Sequence, residues 1–436
     1  MTGTGIAEIV LMMMILRSGV SMIVQTSQDV LHTALENGDE IAEKLAYEIE
    51  EEFINRPYTI PLSDDMWGPW FGMDRSLTLR TTTINMALLY SRENVAIIII
   101  DRGANLLLTD QYGNTPLHIA AGQGLNIAVI KLLKKIRMTN PQALDLQNKA
   151  GKTPLHFAAD YEWEDVIKTL LVGGANPNIA DSFGNTPLHL AIQRNLSGQI
   201  IIDIIEAMKA KAVDDLGHNE MTNPSGCSSG TMVHNGLHRN PIGQATSEIL
   251  YLRNNKGQTA LLNAVYFRRE EISRFLLDLG ADPKIADNDG NTALHLAIKE
   301  DLSEEVIIDI IKAAAAKAVD ILGHNEMANP SGCSNGIMDH NGLGRNAIGQ
   351  ATSEVFNLRN NKGRTALSHA VYYYREDVSR ILLDFGADPT IADNNGNTAL
   401  HLAVTEFLSD QTIIKMIKAA RPNTVDFVDH NGMTNP

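Results

Sequence analysis

The feature that most constrains this chain is a six-residue phrase that recurs along most of its length. Five copies are nearly identical, reading GNTPLH, GKTPLH or GNTALH, and begin at Gly113, Gly151, Gly184, Gly290 and Gly396. Two weaker copies, GQTALL and GRTALS, begin at Gly257 and Gly363. A period of about 33 residues is typical of proteins in which each repeat is one small motif stacked on its neighbours. The sequence therefore predicts stacked modules instead of one globular core.

The stretch from Gly363 to Asn395 indicates what one module folds into. Gly363 follows Asn-Asn-Lys, which is turn chemistry, and glycine supplies the positive φ of a tight hairpin tip. Thr365 is suited to cap a helix, and apolar residues then recur at helical spacing. They form two stripes, Leu367, Ala370 and Val371 followed by Val378, Ile381 and Leu382. Gly386 ends the second stripe, so the module is predicted to be a turn, a helix, a short loop and a second helix.

This pattern resembles the ankyrin repeat, both in its T-P-L-H turn and in its helix ending. The ending reads GAN at Gly103, GANP at Gly174, and GADP at Gly280 and Gly386. The resemblance covers about Arg80 to the C-terminus and implies a mainly α ankyrin-repeat solenoid of helix-turn-helix units with short hairpin turns and two long loop insertions. The repeats are expected near 80–112, 113–150, 151–183, 184–256, 257–289, 290–362, 363–395 and 396–436.

Some positions depart from the family pattern. The first repeat has Arg80 for Gly and Thr83-Ile84-Asn85 for P-L-H. Leu262 and Ser368 replace the motif's histidine, so the hydrogen bond that this histidine usually makes is in doubt there, and we expect those repeats to depend on packing. The histidines that are present do not indicate catalysis or metal binding, because they occupy one position per repeat, about 10 Å or more apart in a stack. They are His118, His156, His189, His295 and His401.

A longer period overlies the short one. Residues 184–289 match residues 290–395 without a gap at about 70% identity, and a third copy begins at Gly396. Each copy carries an insert, at 213–252 and 319–358. There the second helix is expected to run on before a Gly/Asn/Ser-rich stretch, beginning GHNE, that lacks helical periodicity and predicts a protruding loop.

The inserts contain potential zinc ligands, but metal binding is not the favoured interpretation. The first insert has His218, Cys227, His234 and His238, whereas the second has His324, Cys333 and His340 with Gly344 in the fourth place. A duplicated site would ordinarily keep its fourth ligand. A Cys227–His234 nucleophile pair would need a third orienting group and a dry pocket, which a glycine-rich segment does not indicate. We expect spacers or an extra contact surface, and no cofactor.

Residues 1–79 are predicted to form a helical N-terminal cap with an irregular tryptophan-containing segment. Residues 27–54 resemble a degenerate ankyrin hairpin, and the irregular part is expected at 57–76, where Trp67, Trp70 and Phe71 either plug the end of the array or anchor a partner. Residues 5–24 include an apolar run, but Glu8 interrupts it and no basic residue precedes it, so a signal peptide or membrane span is not favoured.

Charge and cysteine content limit the classes of partner. The net charge is −16 and no Lys/Arg run occurs, so binding to nucleic acid or anionic membranes is not expected. Only two cysteines occur, which favours a reducing compartment. We expect a monomeric cytoplasmic protein without catalytic activity.

The ankyrin resemblance implies protein binding on a concave surface of hairpin tips and first-helix ends. Transferred by position, the partner-binding residues are Tyr112, Gln123, Asp160, Tyr161, Phe183, Tyr266, Phe267, Asp289, Tyr372, Tyr373 and Asn395. The alternative for the aromatic residues is packing against the neighbouring repeat. Long internal duplications resemble those of effectors that intracellular bacteria send into host cells, where this chain would then act in the host cytoplasm. A eukaryotic adaptor, a targeting module for an enzyme domain and a membrane-tethered arm through residues 5–24 are the alternatives.

Overall fold

A computed structural model describes the repeat array and parts of the segment before it. The described residues are 31, 34–35, 41–49, 54–61, 78–219, 249–326 and 356–420. They belong to two compact units, Met1–Gly230 and Thr231–Pro436. The apolar run at 5–24, the aromatic residues Trp67, Trp70 and Phe71, and the Cys and His side chains of the two inserts lie outside the described part, so the expectations about them stay predictions.

The first unit is built from pairs of helices that follow a short N-terminal segment. Helix α1 (Ile41–Glu48) comes first, and strands β1 (Tyr58–Pro61) and β2 (Thr78–Thr81) pair antiparallel with Thr59 opposite Arg80. The pairs are α2 (Thr83–Leu89) with α3 (Glu93–Asp101), α4 (Pro116–Gly122) with α5 (Asn126–Thr139), α6 (Pro154–Asp160) with α7 (Glu164–Val172), and α8 (Pro187–Gln193) with α9 (Gly198–Asn219). A 3-10 turn at Pro141–Asp145 follows α5.

The second unit repeats this arrangement. Its pairs are α10 (Ala260–Tyr266) with α11 (Glu270–Asp278), α12 (Ala293–Lys299) with α13 (Glu304–Glu326), α14 (Ala366–Tyr372) with α15 (Glu376–Asp384), and α16 (Ala399–Thr405) with α17 (Asp410–Ala420). Within each unit, first helices pack against the first helices of neighbouring pairs, and second helices against second helices. The apolar faces are therefore buried between modules, as the repeat predicts.

The short first helices form the centre of each module. All seven residues of α4 are buried, whereas α7 buries one stripe, Val166, Ile167 and Leu170. Each seven-residue helix from α4 onward begins after a threonine with extended backbone, for example Thr115 with φ −79° and ψ 167°. This is the conformation of an N-cap residue, so the threonine in the recurring phrase sets where the helix starts.

The two helices of a pair are joined by a tight turn with one residue in the left-handed region. A glycine, Gly124 (φ +72°), fills this position in one repeat, and a Cβ there would lie 2.5 Å from the Trp163 ring. The other repeats place a non-glycine residue there, at a cost of about 1–2 kcal/mol each. These residues are Ser91, Glu162, Asn195, Arg268, Asp301, Tyr374 and Phe407. At the hairpin tip, Gly363 has the predicted positive φ, +73°.

Two local features differ from the sequence-based expectation. The segment expected to be irregular contains strand β1, whose Tyr-Thr-Ile sequence favours extended backbone and pairs with β2. The helices that enter the inserts also continue further than expected, because α13 includes the GHNE sequence up to Glu326. Extending an existing helix by one residue costs little compared with starting one, so weak helix formers are carried along at its end.

Candidate protein-binding surface

Each hairpin tip is fixed by one acidic or amide side chain. The Asp110 carboxylate accepts hydrogen bonds from the backbone N–H groups of Tyr112 and Asn114, both at 2.8 Å. Burial raises the pKa of Asp110, while the bonds from Asn114, Tyr112 and Gly113 oppose the shift. The other described tips use the same geometry through Asn148, Asp181, Asn254, Asp287, Asn360 and Asp393. The residue two positions later, which is the tip residue, is therefore held in one place.

Neighbouring tips within a unit are joined by backbone hydrogen bonds. In the first unit, Lys149 N–H donates to the Tyr112 carbonyl and Ser182 N–H donates to the Ala150 carbonyl, both at 3.0 Å. In the second unit, the carbonyls of Lys256, Asp289 and Lys362 accept from the next tips at 2.9–3.1 Å. The close approach needs glycine, since a Cβ at Gly363 would lie 2.7 Å from the Asn394 nitrogen. The tips of each unit therefore form a row with fixed spacing.

The motif histidine joins one repeat to the next. His118 Nδ1 accepts from the Thr115 backbone N–H at 3.2 Å, so its proton must lie on Nε2, which donates to the Lys152 carbonyl at 2.9 Å. His156 and His295 make the same bonds, to the carbonyls of Asn185 and Arg364, at 3.0 Å. Burial lowers the pKa of His118, His156 and His295 to about 4. These neutral, buried side chains have a structural role, as predicted.

Where the histidine is replaced, part of this arrangement is lost. Ser368 keeps the cap, because its hydroxyl accepts from Thr365 N–H at 3.1 Å, but within the described residues its hydrogen bonds stay inside its own repeat. The Leu262 side chain cannot make these hydrogen bonds. Its backbone N–H still donates to the Thr259 hydroxyl, which caps the helix. The adjacent His369 makes a contact in the opposite direction: its Nδ1 bonds to the His295 carbonyl of the preceding repeat at 3.1 Å, and the two rings meet at 5.4 Å.

All eleven predicted partner-binding residues retain solvent exposure in the structure. At the tips, Phe183 is 65% exposed, Asp289 and Asn395 are exposed, and Tyr112 is half-buried. At the first-helix ends, Tyr372 is 40% exposed, and the remaining side chains are half-buried. These are Gln123, Asp160, Tyr161, Tyr266, Phe267 and Tyr373.

The aromatic side chains of the second unit contact each other and nearby cations. Tyr266 and Phe267 meet edge-to-face at 5.1 Å, and Tyr372 and Tyr373 do so at 5.2 Å. The Lys256 and Lys299 ammonium groups lie 5.7 and 5.4 Å from the Tyr266 ring centroid, and the Arg364 guanidinium lies 3.8 Å from that of Tyr372. Tyr373 also packs against His369 at 4.8 Å. These residues are therefore held in fixed positions while part of each ring stays accessible.

The first unit has a charged cluster at the equivalent place. Asp160 accepts from Lys152 at 2.5 Å and from Arg194 at 2.7 Å. Burial alone would raise the pKa of Asp160, but the bonds to Lys152 and Arg194 outweigh it and lower the pKa. Burial raises the pKa of the adjacent Tyr161. The cluster presents a fixed arrangement of charges beside an aromatic ring.

Sequence reasoning missed three exposed aromatic residues in the inter-helix turns. Trp163 is 43% exposed and donates from Nε1 to the Gly122 carbonyl at 2.7 Å, while Tyr374 and Phe407 are 65% and 92% exposed. Alignment of the repeats could have identified the last two, because the equivalent turns carry polar residues at Asn195 and Asp301.

The described residues contain neither a metal site nor a membrane span. No group of three or more His, Cys, Asp or Glu side chains in this part of the chain is placed to hold a metal ion. Across the same residues, every helix is too short or too polar to cross a lipid bilayer.

Comparison with known proteins gives consistent matches to one family. A model described as ankyrin repeats (many copies) matches residues 99–158, and a single ankyrin-repeat model matches 150–182. A three-copy ankyrin model matches 236–321 and 335–426. Together these stretches cover more than half of the 436 residues.

Individual relatives match over part of their length. The mouse B-cell lymphoma 3 protein homolog is 26% identical over 224 residues, which is 51% of this chain and 42% of the relative. The chicken nuclear factor NF-kappa-B p105 subunit is 28% identical over 48% of this chain and 21% of its own. The Arabidopsis thaliana E3 ubiquitin-protein ligase KEG is 25% identical over 79% of this chain and 19% of its own. The chain thus spans less than half the length of these relatives.

Among solved structures, the ankyrin repeat domain of Bcl-3 matches 71% of this chain and all of its own, with a TM-score of 0.46 and 22% identity. Both the repeat-family matches and the stacked helix pairs agree with the repeat read from the sequence. The chain belongs to the ankyrin-repeat family.

Proposed function

We propose that this chain is a non-catalytic scaffold that holds a partner protein on its row of hairpin tips and first-helix ends. The observation that carries the proposal is the partial solvent exposure of the aromatic residues in the second unit. Tyr266, Phe267, Tyr372 and Tyr373 stay partly exposed while the apolar residues beneath them are buried. Tyrosine and arginine are enriched at interface hot spots, and rings that are already ordered lose little entropy on binding. The ankyrin repeat is a protein-interaction module, which supports the same proposal.

The test is affinity capture with the full chain as bait, followed by mass spectrometry. Changing Tyr266, Phe267, Tyr372 and Tyr373 to Ser should reduce capture of the enriched partner at least about tenfold, since losing a single hot-spot residue can cost about 1–2 kcal/mol. Far-UV circular dichroism should not change. If helicity collapses instead, these rings belong to the core and the proposed surface is wrong.

A matched control uses apolar residues that are exposed elsewhere. Tyr47, Met138, Val172 and Phe385 are 66%, 79%, 83% and 40% exposed and lie on helix α1 or on or just after second helices. Changing all four to Ser removes similar apolar area away from the tips and first-helix ends. Capture should stay within about twofold of the unchanged chain. Equal loss in both variants would indicate non-specific hydrophobic capture.

A host-directed effector is the finer role that the long duplication favours. Residues 184–289 and 290–395 still match without a gap, which indicates recent expansion of the array. In that role the chain would act in the cytoplasm of a host cell. A translocation reporter fused to the chain should give a signal inside infected cells, and a signal confined to the producing cell would favour an adaptor that acts where it is made.

A further inference from the structure

Helix α5 exposes two large apolar side chains on the layer formed by the second helices. Ile127 and Ile130 are 62% and 52% exposed, and Lys134 follows one turn later on the same face. Residues three and four positions apart lie side by side on a helix surface. The opposite face of α5, which includes Val129 and Leu132, is buried against the neighbouring helices. The exposed side chains are therefore not needed to hold α5 in the array.

The same helix carries four cations and no acidic residue. Lys131 pairs with Asp101 at 2.7 Å. Lys134 and Lys135 are exposed and take part in no ion pair within the described residues. Since the whole chain has a net charge of −16, the sign of the charge is locally reversed here. Ile127, Ile130, Lys134 and Lys135 are called the α5 face below.

Equivalent positions on other second helices show that packing does not require this composition. Counted from the recurring glycine, the places of Ile127, Ile130 and Lys134 are all charged on α11 and α15, with more acids than bases. They are Glu271, Arg274 and Asp278 on α11, and Asp377, Arg380 and Asp384 on α15. An acidic residue in the first turn stabilises a helix, so Ile127 also forgoes a favourable charge. The α5 face thus differs from its counterparts in both polarity and charge.

The neighbouring helix α7 extends the cationic surface in part. Lys168 stands at the place of Ile130, is exposed and, among the described residues, forms no ion pair. Asp165 stands at the place of Ile127 and is also exposed. An approaching anion therefore meets three exposed ammonium groups, those of Lys134, Lys135 and Lys168, and one exposed carboxylate. The balance of charge on these two helices favours an acidic ligand.

The arrangement of the side chains favours a protein ligand over a lipid surface. Helices that lie on membranes carry apolar side chains on one side and cations on the other, so that the apolar side can enter the lipid. On α5, apolar and cationic side chains share one face, because the other side is buried in the array. A small apolar centre beside charged side chains is the composition of a protein interface.

We infer that the α5 face binds an acidic amphipathic helix of a partner protein. The apolar side chains of the partner contact Ile127 and Ile130, and its carboxylates pair with Lys134 and Lys135. A helix that lays its apolar side on such a face is a recurring mode of peptide recognition. The site lies on the second helices, so it does not rest on the partner-binding surface of hairpin tips and first-helix ends.

Fluorescence anisotropy of the full chain with labelled peptides tests this site. The probe is a designed helix about five turns long, with Leu on one side and Glu on the others. One control peptide has the same residues in scrambled order, and another has Lys in place of Glu. The acidic helix should bind, and both control peptides should bind at least about tenfold more weakly.

Variants of the chain locate the binding. Changing Ile127 and Ile130 to Ser, or Lys134 and Lys135 to Glu, should each weaken binding of the acidic helix at least about tenfold. The matched control changes the equivalent pair on α15, Asp377 and Arg380, to Ser and should stay within about twofold. Far-UV circular dichroism should not change in any of them, because these side chains lie at the surface.

Three outcomes would overturn the inference. The first is no binding of the acidic helix, or equal binding of the scrambled peptide. The second is loss of binding when the four aromatic residues of the second unit are changed to Ser, because the peptide would then occupy the hairpin-tip surface. The third is binding of phosphatidylserine vesicles that requires Ile127 and Ile130 while the peptide does not bind, which would assign the α5 face to a membrane.

Discussion

The repeats that begin at Gly290 and Gly363 are joined to their neighbours in different ways. In the first, His295 completes a helix cap and also donates to the Arg364 carbonyl of the next repeat. In the second, Ser368 completes the cap only, and its neighbour His369 instead bonds back to the His295 carbonyl. The comparison separates two roles of the motif histidine, which are to start the first helix and to attach the following repeat.

Acidification should produce the largest change in stability, because it acts on all the buried histidines together. Burial lowers the pKa of His118, His156 and His295 to about 4, and that of His369 to about 3, the latter also because of nearby His295. The unfolded chain has histidine pKa values near 6.5, so below that pH it binds more protons than the folded chain. Stability is therefore full above about pH 6.5 and should fall by about 1.4 kcal/mol per pH unit for each histidine as pH approaches 4.

Urea midpoints measured at pH 7.5, 6 and 5 check this dependence. His369→Asn, which restores the residue found at Asn263 in the earlier copy, should reduce the fall between pH 6 and 5. If the urea midpoint falls equally in the variant and the unchanged chain, His369 does not contribute to the pH dependence.

Loss of the bridging histidine should be the next largest effect. His295→Ala removes the bond that completes the helix cap and the bond to the Arg364 carbonyl, which still accepts from Asn360 N–H, and should cost about 2–3 kcal/mol. The urea midpoint and hydrogen exchange in α14 report the change. A loss below about 1 kcal/mol would show that packing alone joins these repeats.

The matched variant Ser368→Ala should cost less, about 1 kcal/mol, because it removes only the hydroxyl that accepts from Thr365 N–H, while the Thr365 hydroxyl still caps the N–H of residue 368. Denaturation under the same conditions as for His295→Ala gives a direct comparison. Equal losses for the two variants would mean that attachment to the next repeat contributes nothing measurable.

The reverse change, Ser368→His, should be stabilising by about 1 kcal/mol or less if the ring reaches the Asn397 carbonyl. Asn397 is the residue equivalent to Arg364, whose carbonyl accepts from His295 in the preceding pair of repeats. The expected result is a higher urea midpoint, with amide exchange in α16 no faster than in the unchanged chain. Destabilisation would show that the serine repeat has repacked around its smaller side chain.

The smallest effect is expected at the surface. The exposed Tyr374 donates to Glu406 of the next repeat, and a hydrogen bond at the surface contributes little, so Tyr374→Phe should leave the stability unchanged. A urea midpoint within error of the unchanged chain would confirm that this contact does not join the repeats. A larger loss of stability would show that this contact helps to attach the following repeat, which Ser368 does not do.

The repeated sequence was sufficient to predict the modules, because helix starts, tips and apolar stripes are local signals. Thr365, Gly363 and Gly386 behave as their chemistry predicts. A hydrogen bond from the motif histidine was expected from the family, but neither its acceptor in the next repeat nor the bond from His369 to the preceding repeat was. The His369 bond joins residues 74 positions apart, and no local pattern indicates such a contact.

Prediction was weaker for the binding surface. Position in the repeat indicated side chains that keep solvent exposure, yet it could not rank them, because exposure depends on neighbouring repeats. Phe407 illustrates this limit: its turn position is also exposed at Asp301 and Asn195, but an apolar ring there could equally have packed against a neighbouring residue, and only the structure shows that it is 92% exposed. Which residues bind a partner therefore stays a prediction.

The most direct test of the account is the ionisation of the bridging histidines, measured by NMR in the full chain. His118, His156 and His295 should carry their proton on Nε2 and show no titration above about pH 5, with assignments made from single His→Gln variants. Titration of all three near pH 6.5 would contradict it, because the side chains would then be hydrated and the repeats would not be joined through them.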